Sequence, residues 1–159
     1  PPPRSSSAAS DVYKRQNGVL LAQIAPNGGI ISGSSSVVQL DAWNWEDATV
    51  KYDQGIHINW PSPYTYGRWW LDEDRGLKVN NNYSSQVKGL KDFFEKSKAN
   101  MNVNKSMNIK SKAMKSIING ESTVYLYADD EKEIVDGVTF LKKFGIAKIV
   151  IVGLSLIHI

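Results

Sequence analysis

Near the end of the chain, TVYLYA (123–128) and AKIVIVG (147–153) are short apolar runs without polar alternation. Between them, DEKEIVDGVTFLKKFG spaces Ile134, Val138 and Leu141 at i, i+4 and i+7, the period of a helix with one buried stripe. A strand that is apolar on both faces needs cover on both. Two parallel strands also need a crossover of a dozen or more residues between them, which a helix supplies. The order strand, helix, strand therefore predicts a parallel sheet covered by helices, an α/β fold.

The helix of this unit carries its own start and stop. Asp130 followed three residues later by Glu133 is a capping box, which satisfies backbone N–H groups left without partners in the first turn. Lys142 and Lys143 complement the last turn, and Gly145 suits the left-handed position that closes it.

Upstream the same punctuation recurs. GVLLAQIAP (18–26) reads as an apolar strand stopped by Pro26, and NGGIISGSSS (27–36) as a mobile Gly/Ser loop. SVVQLD (36–41) is a second strand, WNWEDATVKY (43–52) one short helix, and GIHINWP (55–61) a third strand. Residues 61–82 form a long aromatic and charged stretch without period, read as an insertion at a strand end. Val87, Leu90, Phe93 and Phe94 mark a helix over 85–98, and Ala113, Met114, Ile117 and Ile118 a second one before Asn119-Gly120. With the two C-terminal runs this makes five strand candidates.

The two ends do not share this pattern. PPPRSSSAASDVYKRQ (1–16) and LSLIHI (154–159) resemble translated adapter or linker read-through of the kind found in metagenomic assemblies of bacterial DNA. Both are set aside as a non-native head and tail, with a disordered native N-terminus as the alternative for the head. Without Arg4, Lys14, Arg15 and Asp11, Lys+Arg falls from 19 to 16 and Asp+Glu from 16 to 15, and the formal charge from +3 to +1. Nucleic-acid binding thereby loses its compositional support. No run approaches the roughly 18 apolar residues of a membrane span. The absence of Cys excludes disulfides, thiolate metal sites and a Cys nucleophile, and leaves the compartment open. Ser34–Ser36 have no His and acid constellation to activate them. GGIISGSSS lacks the Gly-Lys-Ser/Thr ending of a phosphate-binding loop.

Candidate pocket residues sit where strands end, the edge at which α/β enzymes keep their chemistry. Tyr127 and Asp129 close the strand 123–128; against a site role stand packing inside the fold for Tyr127 and support of the Asp130 cap for Asp129. His57 shares a strand face with Asn59, opposite Ile56, Ile58 and Trp60, and the neighbouring strand offers Gln39 and Asp41 as hydrogen-bond partners. Trp60, Tyr64, Tyr66, Trp69 and Trp70 crowd one loop with Arg68, a density that suits either stacking on a flat ligand or sugar, or a packed lid. The Lys-rich stretch 88–115 reads as a solvated face.

The run GVLLAQIAPNGGIISGSSSVVQLDAWNWEDATVKYDQGIHINWP, with YLYADDEKEIVDGVTFLKKFGIAKIVIVG downstream, resembles metal-dependent amidohydrolases of the imidazolonepropionase-like branch. The resemblance spans roughly residues 17–153. It implies a partial (β/α)8 TIM-barrel, about half of a ring that needs about 250 residues, with parallel strands, flanking helices and the rest of the barrel missing. It also implies a hydrolase acting on a C–N bond other than a peptide bond, on a small-molecule substrate. A divalent metal, zinc foremost, would make the nucleophile from bound water. The family's His-x-His pair occurs nowhere in this sequence, and the strand position that often carries a metal-binding His aligns with Tyr127. No bound metal and no activity are therefore expected of this chain by itself. The alternative is a non-catalytic barrel protein that binds a carbohydrate or another small ligand through the aromatic loop. Members of this branch often carry an export signal, which keeps a periplasmic location among the expectations.

Overall fold

The computed structural model describes residues 14–66, 76–101 and 109–153. Among the described residues the elements run in the order β1 (Leu21–Ile24), β2 (Ile31–Gln39), α1 (Trp45–Ala48), β3 (Thr49–Asn59), β4 (Tyr64–Tyr66), β5 (Leu77–Val79), α2 (Tyr83–Met101), α3 (Ile109–Ile118), β6 (Thr123–Ala128), α4 (Glu131–Lys143) and β7 (Ile149–Gly153). Five strands form one sheet in the order β1-β2-β3-β6-β7, curled into a half-barrel, while β4 and β5 pair as a separate hairpin.

The sheet is mixed, which corrects the expectation of parallel strands throughout. β3, β6 and β7 are parallel, and β1-β2 and β2-β3 are antiparallel. Chain length between strands decides this. The links from β1 to β2 and from β2 to β3, the latter holding only the single turn α1, are too short for a crossover. The hairpin, α2 and α3 separate β3 from β6, and α4 separates β6 from β7, so those strands can run the same way.

Two further expectations yield to cross-strand pairing. The helix predicted over 43–52 stops at Ala48, because Thr49 and Lys51 are paired with Val38 and Val37 of β2. The Gly/Ser loop predicted over 27–36 is mostly strand: β2 starts at Ile31, and Ser34 and Ser35 pair with Ile56 and Gly55. Serine hydroxyls hold this unusual strand. Ser35 accepts from Gln23 at 2.8 Å and donates to the Gly55 carbonyl at 3.4 Å, while Ser34 donates to Asp53 at 2.5 Å. Asp53 has φ 44, a left-handed conformation that Asp tolerates, where the register shifts.

One face of the parallel strands carries the core. Ile56, Ile58, Val124 and Leu126 meet Leu90 and Phe94 of α2, Met114 and Ile117 of α3, and Leu141 of α4. Gly137 lets α4 come down on the sheet; a Cβ there would lie 2.8 Å from the Leu126 side chain. The capping box is present as the spacing predicts, with Asp130 as N-cap and Glu133 answering it.

Candidate functional site

Alternation turns the other face of β3 and β6 toward the inside of the curl. His57 pairs with Tyr125 and Asn59 with Tyr127 across the parallel joint, so an imidazole and two phenols share one face. The His57 ring stacks on Tyr125 with centroids 4.6 Å apart and planes 7° from parallel. Gly55 makes that possible, because a Cβ there would sit 2.4 Å from the Tyr125 ring. Nδ1 of His57 lies 3.0 Å from the Tyr127 hydroxyl. A phenol is the better donor and an imidazole nitrogen the better acceptor, so the hydroxyl donates and the neutral ring keeps its proton on Nε2. Burial lowers the His57 pKa from 6.5, which favours this neutral form. His57 is 3% exposed, and Nε2 has no hydrogen-bond partner among the described residues.

Above this layer, where β3 and β6 end, lies an open cleft of about 860 Å³. Trp60, Tyr64 and Tyr127 give it aromatic walls; Asp129, Asp130 and Glu133 give it carboxylates. Glu133 is tied down by the N–H groups of Asp129 and Asp130, and Asp130 accepts from the Glu131 N–H. Asp129 stands against Gly153, where a Cβ would come within 2.6 Å of its carboxylate. Trp60 is fixed from behind. Its indole N–H donates to the Tyr83 hydroxyl at 3.3 Å, which donates to Asp136 at 2.7 Å, and Lys132 completes the chain at 2.9 Å. Hydrogen bonds from Tyr83 and Lys132 lower the Asp136 pKa, while burial and Asp136 raise that of Tyr83.

The structure thus brings His57 and Tyr127 together and sets Tyr127 and Asp129 on one cleft. Gln39 and Asp41 lie apart from them: Gln39 donates to the Asp47 carbonyl at 2.9 Å, and Asp41 pairs with Arg15. The partner of His57 is Tyr127, 70 residues away in sequence, which no local pattern announces. Tyr125 was legible in principle, since it shares the i, i+2 face of Tyr127. The aromatic loop is described only in part: Arg68, Trp69 and Trp70 lie outside the described residues.

No family model matches the sequence, and no curated protein matches it either. A crystal structure of an amidohydrolase from Thermotoga maritima MSB8 is similar in fold, with a TM-score of 0.65 over 84% of this chain at 16% identity. This chain spans 36% of the length of that protein. At such identity the likeness is one of fold: the half-barrel matches part of an amidohydrolase.

Whether the described residues suit a divalent metal follows from their donors. Nδ1 of the His57 imidazole is engaged by Tyr127, and a phenol is a poor metal ligand near neutral pH. Among the described residues no group of three or more His, Asp or Glu side chains converges as metal ligands. By themselves these residues do not fit the ion that the resemblance implies, and no reaction step is derived through it. Among the described residues, too, no helix is long and apolar enough to cross a membrane.

Proposed function

We propose that this chain is part of an amidohydrolase-like hydrolase acting on non-peptide C–N bonds, and that it supplies one wall of the substrate site. The observation that carries the reading is the fold shared with part of an amidohydrolase, together with a cleft at the C-terminal edge of its parallel strands. In barrel enzymes that edge holds the substrate. In this reading Tyr127 and Asn59 orient the small-molecule substrate, and Asp129 holds a polar group of it. His57 keeps the Tyr127 phenol in place from below. In this reading the groups that would hold a divalent ion lie outside the described residues.

The contiguous genomic reading frame tests this. A His-x-His pair upstream, with a His and an Asp on later strands downstream, is the expected result. Their joint absence would favour a barrel protein that binds a small ligand without hydrolysing it, a reading that Tyr127 at a position of metal-binding His already motivates. Purified alone, the 159-residue chain is expected to hydrolyse no C–N substrate and to bind less than one equivalent of zinc.

A further inference from the structure

Two residues of the cleft have their hydrogen-bond donors committed before any ligand arrives. Asn59 ends β3 and Tyr127 is its register partner on β6, with Cα atoms roughly 5 Å apart on one face of the sheet. Both line the cleft, and both are half-buried. The Asn59 amide lies 2.7 Å from the Gly29 carbonyl and 3.0 Å from the Ser32 hydroxyl. A carbonyl only accepts, so the NH2 end of the amide must face Gly29, and its two N–H groups go to these two partners. Oδ1 is left over: it meets no donor among the described residues and is not enclosed. Tyr127 reaches the same state by another route. Its single proton goes to Nδ1 of His57 at 3.0 Å, which leaves the phenol oxygen with lone pairs only. His57 is held for this task. It is 3% exposed, its ring is stacked on Tyr125, and Nε2 has no hydrogen-bond partner among the described residues to draw the ring away.

We propose that Asn59 and Tyr127 determine specificity as an acceptor-only pair that selects ligands carrying N–H donors, and that His57 is the positioning residue that sets the polarity of Tyr127. Groups of the carboxamide or ureido class present an –NH2 to these oxygens. An N-alkylated amide or a carboxylate offers only acceptors and sets lone pairs against lone pairs. Each hydrogen bond lost in this way costs about fivefold in affinity. The proposal rests on reading this cleft as the substrate site and adds the hydrogen-bond polarity by which it chooses.

Benzamide and N,N-dimethylbenzamide share a ring and a carbonyl, and only the first has N–H donors. Their binding to the full chain can be followed in ¹⁵N–¹H spectra. Benzamide is expected to bind at least about tenfold more tightly. Tyr127→Phe keeps the ring and should cut that ratio about fivefold, whereas simple crowding of the two methyl groups would leave it unchanged. His57→Phe frees the Tyr127 hydroxyl to donate to the probe's carbonyl. N,N-dimethylbenzamide should then bind more tightly than it does to the wild type, a gain that mere loss of structure does not produce. His57→Asn, whose amide oxygen can take the place of Nδ1, should return the wild-type ratio. Equal affinity for the two probes, a ratio that Tyr127→Phe or His57→Phe leaves unchanged, or no binding of either probe to the folded chain would overturn the assignment. The hydrolase reading fails separately: donor selection in a protein whose full reading frame lacks the metal-binding His pair would sink that reading and leave the acceptor pair standing.

Discussion

The two wings of the sheet are built on different terms. In the parallel wing, β3, β6 and β7 pack under α2–α4, and among the described residues every buried hydrophobic side chain of the core comes from Ile56 onward. In the antiparallel wing, β1 and β2 with α1 bury one side chain fully, the polar Ser35, and leave Leu20, Leu21, Ile24, Trp43 and Trp45 exposed. Apolar burial stabilises the first wing; hydrogen bonds between serines, Gln23 and the backbone hold the second. The inner face of β3 lies where the two wings meet, and His57 sits on it.

That contrast has measurable consequences. The largest effect belongs to the parallel wing. Phe94 is fully buried among Phe140, Phe144 and the sheet, so Phe94→Ala is expected to cost about 3–5 kcal/mol in urea unfolding. Leu21→Ala, in the other wing and 56% exposed, should change stability by less than about 0.5 kcal/mol. A comparable loss at both positions would erase the distinction.

Gly55→Ala comes next, because it places a methyl against the Tyr125 ring at the meeting line of the wings. Overpacking there should cost about 1–3 kcal/mol and disturb the stacking on His57. Asp130→Ala, which removes the cap of α4, should cost about 1 kcal/mol.

The smallest effects are those of pH. The folded pKa of His57 is depressed by burial, so the unfolded chain takes up the proton first. Its contribution is therefore present above the unfolded pKa of about 6.5 and is lost as pH falls toward the lower folded value. Asp136 is depressed below 3.8 by Tyr83 and Lys132, and its contribution disappears only in stronger acid. Urea midpoints taken along a pH series should show the first slope in the wild type and not in His57→Phe. Asp136→Asn should flatten the acid limb alone.

Much of the parallel wing was legible in the sequence because local rules and tertiary packing agree there. The Asp130/Glu133 spacing, the 3.6 period of α2 and α4 and the apolar runs of β6 and β7 each state a structure that the core then uses. The antiparallel wing was not legible, since GSSS has loop composition and becomes a strand only through its pairing with β3. The site was half legible. Tyr127 and Asp129 follow from their place at a strand end. The His57–Tyr127 contact and the chain from Trp60 through Tyr83 to Asp136 join residues far apart in sequence, and no periodicity encodes such pairs. Gly55, two residues before His57, was the one local hint that something lies across β3 at that point.

The most direct test lies at the joint between β3 and β6, on which both the half-barrel and the cleft above it depend. Side-chain ¹⁵N spectra of His57 over a pH series report its tautomer and its charge. A ring locked between Tyr125 and Tyr127 gives the neutral form protonated at Nε2, persisting to clearly below pH 6.5. Ordinary titration near 6.5 with mixed tautomers would mean that His57 is free in solvent, and that these two strands do not meet as described.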